Sequence, residues 1–407
     1  MSRIKLSWSK WTHKDRILLG IILGGYSVLF YRYRSQQGDF GDFIKAGELI
    51  WNQQNPYSEL MYVNSPVSAV VFYLISRAVP LLLIPTFIQV LNVLGLLYFF
   101  KVILKDSKHE IMLWVFFLLL FFNSTRALVA NVQVTGLLLG LIATSLTLAK
   151  SSASSYKVVF PLWFAMELKP QLAIPFVLIL LFNGKLHKAK AATLAAYYIF
   201  AHLLVHVKFG SSIDLLWIEK VISYSSNSMR EGYEISYWKG LAILSEQENF
   251  VKLLSQVVVL LSLILVVYLA LKARISWALL VALLFPIQNS YLHLYDLVPA
   301  SVLIAILYLG KNTISLTFGL LIFIQIYPLH LLTQIGVLLC CAILSFAYKI
   351  EGRRVVASIF LISVHSAFVI LFLKDFSEEM QIISSLTVPL IMVLMVNRKK
   401  LVQIIEI

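Results

Sequence analysis

The apolar stretch "ILLGIILGGYSVLFY" (residues 17–31) is soon followed by the polar segment "GDFGDFIKAGELIWNQQNPY" (residues 38–57). The first stretch carries no charged side chain and, with its flanks, approaches the about 20 residues that a helix needs to cross a bilayer. The second stretch begins with two carboxylates, Asp39 and Asp42. Because a charge is costly in hydrocarbon, we expect these acids to lie where the first span leaves the membrane.

Composition extends this prediction to the whole chain. Of the 407 residues, 60% are hydrophobic and only 13% are charged, and the mean hydropathy is +0.85. Such values are typical of a polytopic membrane protein. Apolar runs recur from residue 17 to residue 396, without a soluble domain between them. The candidate spans are residues 17–33, 82–104, 110–124, 133–149, 158–168, 170–183, 190–208, 250–272, 275–290, 294–310, 313–329, 331–348, 354–373 and 379–396. We therefore predict a single membrane domain over residues 1–407, an all-α bundle of about 12 to 14 spans with helices in its extracytoplasmic loops.

The positive charges of the chain predict its orientation. The formal net charge is +14, but the Lys and Arg residues gather in short loops, which indicates topology and anionic lipid contact rather than a nucleic-acid partner. Positive loops face the cytoplasm, and all the basic clusters share that side if residues 66–80 form a re-entrant or surface segment instead of a crossing. Both termini are then cytoplasmic and the protein lies in the plasma membrane. The predicted outer segments are residues 34–65, 123–133, 167–171, 209–249, 288–296 and 374–379.

Lys169 is a charge between two short apolar segments, directly before Pro170. A charge at membrane depth costs at least about 2.5 kcal/mol, so it usually faces a partner or a cavity. One interpretation pairs Lys169 with nearby Glu167, or lets its ammonium reach the interface along the apolar stem. The other has the ammonium bind the phosphate of an anionic lipid.

A second polar group occurs in "FPIQNSYLHLYDLVPA" (residues 285–300), a predicted hairpin tip. His293 and Asp296 are three residues apart and can share one face of a helix, close to Asn289. These side chains are expected to bind a headgroup or to relay a proton. The alternative is that they cap the hairpin.

Residues 209–249 form the longest polar segment outside the predicted spans, and they are rich in Tyr, Trp and Ser. Aromatic side chains are common at the membrane interface, but aromatic and polar surfaces also suit sugars, and Arg230 and Tyr233 are the predicted contacts. Just upstream, His202 and His206 have the i, i+4 spacing of some metal ligands. No third ligand is evident nearby, so we expect these histidines to pack at the interface.

The first outer segment resembles that of the GT-C superfamily glycosyltransferases, especially the polyprenol-phosphate-mannose-dependent mannosyltransferases related to the mycobacterial phosphatidylinositol mannosyltransferases. In that family an Asp follows the first helix, then an aromatic residue, a small pair and an "NPY"-like turn. Here these positions correspond to Asp39, Phe43, Ala46–Gly47 and Asn55–Tyr57. The resemblance implies that Asp39 is the catalytic base, with Asp42 as the second choice.

Three later segments are also similar to motifs of the family. "NVQVTGLLLGL" contains Gln133, "ELKPQLAIPFVLILLF" contains Lys169, and "NSYLHLYDLVPA" contains His293. The resemblance implies inverting transfer of a sugar, mannose or another hexose, from a polyprenyl-phosphate donor to a lipid or glycan acceptor at the outer face. In this scheme the donor phosphate is bound by Lys169, His293 and Arg126, and substrate is contacted by Tyr57, Gln133, Asn289, Asp296, Arg230 and Tyr233.

We expect no metal cofactor. A monophosphate donor leaves no diphosphate to neutralise, and "DFGD" (residues 39–42) is the chain's one paired-carboxylate motif resembling DxD. Other classes of membrane protein remain open. A transporter or lipid flippase would also use charges and broken helices within the membrane, and an oligosaccharide polymerase or ligase would also carry a large outer loop. A structural membrane scaffold would leave the clustering of polar residues unexplained.

Overall fold

The computed structural model describes residues 13–33, 38–59, 64–80, 83–103, 123–150, 155–183, 187–210, 212–226 and 247–288, with isolated residues at 238–245 and 296–299. All regular structure in these segments is helical, which confirms the all-α class. The helices are α1 (His13–Tyr33), α2 (Gly38–Trp51), α3 (Pro56–Glu59), α4 (Pro66–Ala78), α5 (Ile84–Ile103), α6 (Asn123–Ala130), α7 (Thr135–Lys150), α8 (Ser155–Leu168), α9 (Pro170–Phe182), α10 (His187–Phe209), α11 (Ser212–Ser226), α12 (Glu248–Leu271) and α13 (Ile275–Leu284), with a 3₁₀ turn at Phe285–Gln288.

Three of these helices are long and apolar enough to cross a membrane: α5, α10 from Lys188 onward, and α12. α10 and α12 expose many large apolar side chains, including Phe200, Val207 and Leu260. Such all-round apolar helices are stable where lipid rather than water covers the outer face. Shorter apolar helices, among them α7, α9 and α13, pack beside them.

Helices α5 and α7 pack closely against each other and run in the same direction. Gln89 near the start of α5 donates to the carbonyl of Val129 just before α7, at 2.9 Å. Tyr98 near the end of α5 donates to Thr147 near the end of α7, at 3.0 Å. Between these contacts the backbones touch, because a Cβ on Gly95 would lie 2.3 Å from the carbonyl oxygen of Gly136. Small residues let apolar helices approach in this way.

The start of α4 lies beside the end of α8. Ser65, at the start of α4, donates a hydrogen bond to Glu167 near the end of α8. α8 follows α7 and packs along it, so the end of α8 lies beside the start of α7, where α5 also begins. The starts of α4, α5 and α7 and the end of α8 therefore lie at the same end of the bundle. We call this end, marked by Gly38, Asn131 and Lys169, the polar end. That residues 66–80 form a re-entrant or surface segment stays a prediction.

The predicted helix boundaries agree with several of the observed ones. The predicted spans 133–149, 170–183 and 250–272 correspond to α7, α9 and α12 within two residues at either end. In the predicted span 275–290 the observed α-helix is shorter than predicted, because α13 ends at Leu284 and a 3₁₀ turn follows. The predicted spans beyond residue 290, and nearly all of 110–124, lie outside the described residues.

Candidate functional site

The start of α2 is fixed against the turn between α6 and α7. Gly38 has a φ of +50°, and a Cβ on it would lie 2.2 Å from the carbonyl oxygen of Asn131. The positive φ and the nearby carbonyl oxygen each exclude a side chain at position 38. Asp39 is the next residue, in the first turn of α2, and its side chain lies outside the described part of the chain. Asp42, one turn later, is exposed and makes an interaction of its own.

The other residues of the first motif pack α2 onto α4. Phe43 is buried and meets the ring of Phe72 edge-on, with centroids 5.1 Å apart. Ala46 is fully buried, and a Cβ on Gly47 would lie 2.3 Å from the carbonyl oxygen of Ala69. The aromatic residue and the small pair are thus explained by close helix packing, which holds the first turn of α2 in place.

The "NPY" turn is held by its own side chains. The Asn55 side-chain oxygen accepts a 2.9 Å hydrogen bond from the Tyr57 amide, an Asx turn. Tyr57 is buried, and its hydroxyl donates to the carbonyl of Asn64 at 3.2 Å. This hydrogen bond joins Tyr57 to Asn64 and so closes the loop between α3 and α4.

Gln133 lies in the turn that Gly38 touches. It is buried, and its backbone carbonyl accepts a hydrogen bond from the Asn92 side chain. The Asn92 oxygen in turn accepts from the Leu137 amide at 2.9 Å. Asn92 therefore fixes the start of α7, and with it the position of Gln133 near the start of α2.

Lys169 separates α8 from α9 at the polar end. Its ammonium lies 2.9 Å from a carboxylate oxygen of Asp296, and the two side chains are only 6% and 2% exposed. Two predicted site residues, 127 positions apart, therefore form a buried ion pair. A buried charge of either sign needs such a partner.

Glu167 does not pair with Lys169, although that pairing is one of the interpretations that the sequence leaves open. Its buried carboxylate accepts hydrogen bonds from Ser65 and, at 2.9 Å, from the indole of Trp163. It also lies 3.4 Å from Nε2 of His202. Glu167 thus contacts residues at the start of α4, in α8 and in α10. Lys169 instead contacts Asp296, which follows α13 in the chain.

His202 bridges two carboxylates. Its Nδ1 lies 2.6 Å from Asp214 in the first turn of α11, on the side opposite Glu167. Its ring is stacked between Tyr198 and Trp217, at centroid distances of 4.3 and 5.8 Å. The expectation that His202 packs is therefore met, with carboxylates rather than His206 as its polar neighbours.

The polar end brings together most of the predicted outer segments. Contacts join Gly38 to Asn131, Ser65 to Glu167 and Lys169 to Asp296. The side chains of six predicted site residues lie outside the described part of the chain: Asp39, Arg126, Arg230, Tyr233, Asn289 and His293.

Sequence reasoning did not predict that Ser65 and Trp163 contact Glu167, or that Asp214 contacts His202. Ser65 has a recognisable signal, because Ser before Pro66 is a typical start of a helix, and its hydroxyl does accept from the Val67 amide. That signal predicts a cap, not a contact with Glu167. Trp163 and Asp214 carry no comparable signal.

No protein-family model matches the sequence, and a search of curated proteins finds no match.

Proposed function

We propose that this chain is a membrane glycosyltransferase of the GT-C type, which moves a hexose from a polyprenyl-phosphate donor to a lipid or glycan acceptor. The observation that carries the proposal is the buried cation Lys169 at the same end of the bundle as the first turn of α2. This end therefore combines a carboxylate-bearing helix start with a positive charge inside an apolar bundle. Sugar transfer from a lipid phosphate needs both.

The proposed reaction uses each group once. Asp39 removes the proton from the acceptor hydroxyl, whose oxygen attacks the anomeric carbon from the side opposite the phosphate. The bond from the anomeric carbon to the phosphate oxygen breaks, and polyprenyl phosphate leaves with the electron pair. Lys169, with His293 and Arg126, stabilises the negative charge of the leaving phosphate. No metal is required, because cationic side chains meet the charge of a single phosphate.

A lipid-linked donor also needs an apolar path. An apolar groove of about 330 Å³ lies between α9 and α12, lined by Leu178, Ile264 and Leu271 among others. α9 begins directly after Lys169, and Leu178 lies about 14 Å further along that helix by its rise per residue. A polyprenyl chain in this groove would reach the polar end with its phosphate.

The proposed setting follows the charge pattern. The full chain has about 12 to 14 spans in the plasma membrane, with both termini cytoplasmic and the polar end outside. Residues 34–65 and 209–249 are then the two large outer loops. Arg230, Tyr233 and Asn289 contact sugar or acceptor, whereas the buried Tyr57 and Gln133 hold the loop and the turn beside the substrate. Asp296 orients Lys169 beside the phosphate.

The test is release of polyprenyl phosphate by the purified full chain, incubated with a panel of polyprenyl-phosphate sugars. Asp39→Asn abolishes the release, and Asp42→Asn, an identical change one turn away, retains it. An active Asp39→Asn with an inactive Asp42→Asn moves the base to Asp42, while activity in both variants removes the mechanism. Flux of a lipid-linked sugar across vesicles without glycosylated product would instead identify a flippase.

A further inference from the structure

A groove of about 400 Å³ opens between α10 and α11, and neither Lys169 nor Asp296 belongs to its lining. Its apolar walls include Ile199, Leu203 and Ile218, which are all exposed. Its polar lining comes from His202, His206 and Asp214. The groove therefore has an amphipathic lining, of a size suited to part of a small ligand.

Two hydrogen-bond acceptors in this groove are available to a ligand. Asp214 uses one carboxylate oxygen for His202, and its side chain is 26% exposed. Within the described residues its second oxygen has no hydrogen-bond partner, and the ring of His206 has none either. A neutral imidazole accepts one hydrogen bond and a carboxylate accepts several. Both acceptors face the same groove.

The charged side chains around the groove determine whether a positive or a negative ligand group binds there. The carboxylates of Asp214 and Glu167 both lie beside the imidazole of His202, so two acidic side chains surround one basic side chain at this point. The aromatic residues Tyr198 and Trp217 line the same groove. Carboxylates and aromatic faces together attract an ammonium group, and they repel a phosphate placed at the same point.

The position of the groove identifies where its ligand comes from. Ile199 and Leu203 belong to α10, one of the helices long enough to span a membrane, and the exposed apolar surface of that helix continues from them to Phe200 and Val207. α11 adds Leu215, Ile218 and Ile222, which recur at helical spacing and are exposed. An acyl chain can follow this surface without leaving lipid, while the polar lining lies near the end of the span.

We propose that the α10–α11 groove binds a phospholipid with a primary amine headgroup. The ammonium donates to Asp214 and His206, and the acyl chain lies along Ile199 and Leu203. This site is separate from the ion pair at Lys169, so the inference does not depend on the sugar-transfer reaction.

Native mass spectrometry of the full chain in detergent, titrated with chain-matched phosphatidylethanolamine and phosphatidylglycerol, tests the site. The wild type binds the amine lipid about tenfold more tightly, the scale of one charge-assisted hydrogen bond. Asp214→Asn keeps an acceptor for His202 but removes the charge, and it abolishes this preference. The matched control Glu219→Gln, on α11 but outside the groove lining, leaves the preference intact.

Equal binding of the two lipids by the wild type overturns the proposal, as does an unchanged preference in Asp214→Asn. If Asp214→Asn does not purify as a folded protein, His206→Leu decides, since the fold gains no described hydrogen bond from that side chain. An unchanged preference in His206→Leu then overturns the proposal, and a several-fold loss supports it.

Discussion

The buried pair of Lys169 and Asp296 allows stability and function to be separated in one mutant cycle. At 2.9 Å and an effective dielectric constant of about 20, the two charges attract by about 6 kcal/mol, which is offset by the cost of removing both from water. Changing one partner leaves the other buried without its counter-charge. Lys169→Met or Asp296→Leu is therefore expected to destabilise the protein by about 3–5 kcal/mol.

The double variant Lys169→Met, Asp296→Leu should recover most of that loss, because replacing both members of a buried pair by apolar groups is often neutral. Thermal unfolding of the full chain in detergent, followed by intrinsic fluorescence, gives the stability of the four proteins. Additive losses, with no recovery in the double variant, would refute the ion pair. Assays of polyprenyl-phosphate release on the same samples then test the function. A stable double variant that is still active would refute the role of Lys169 in the proposed reaction.

Two further changes test the packing at and near the polar end. Glu167→Ala should lower the free energy of unfolding by about 3–6 kcal/mol, because it leaves several buried donors without an acceptor. Ser65→Ala should lower it by about 1 kcal/mol or slightly more. Equal Tm losses in the two variants would contradict this ranking. Gly95→Ala should markedly lower the Tm, since its Cβ would lie 2.3 Å from the rigid carbonyl of Gly136, whereas Gly20→Ala, with nothing within 4 Å of its Cβ, should be neutral or slightly stabilising. A tolerated Gly95→Ala would show that α5 and α7 are not in backbone contact.

The features predicted correctly are those that local chemistry or overall composition determines. Proline at the first position of a helix is favourable, so the break at Lys169–Pro170 could be placed to the residue. The all-α class followed from the apolar runs that recur along the chain. In both cases the information lies within a short stretch of sequence or in a property that sums over the chain.

The partners within the polar end could not be predicted in this way. Ser65 and Glu167 are 102 positions apart, and Lys169 and Asp296 are 127 apart. Sequence spacing favours Glu167 as the partner of Lys169, because the two are near neighbours. They nevertheless point to different partners, since Glu167 belongs to the last turn of α8 while Lys169 lies between that helix and α9.

The ion pair also constrains how Lys169 could bind a donor phosphate. An ammonium has three hydrogen-bond donors, and Asp296 already occupies one at 2.9 Å. A phosphate that shares this ammonium brings its own negative charge close to the Asp296 carboxylate, so Lys169 alone cannot neutralise both. A second cation must therefore join the site when the donor binds, and of the predicted phosphate ligands His293 and Arg126 are the two that remain. If both can be replaced by neutral residues without loss of sugar transfer, the phosphate does not bind at Lys169.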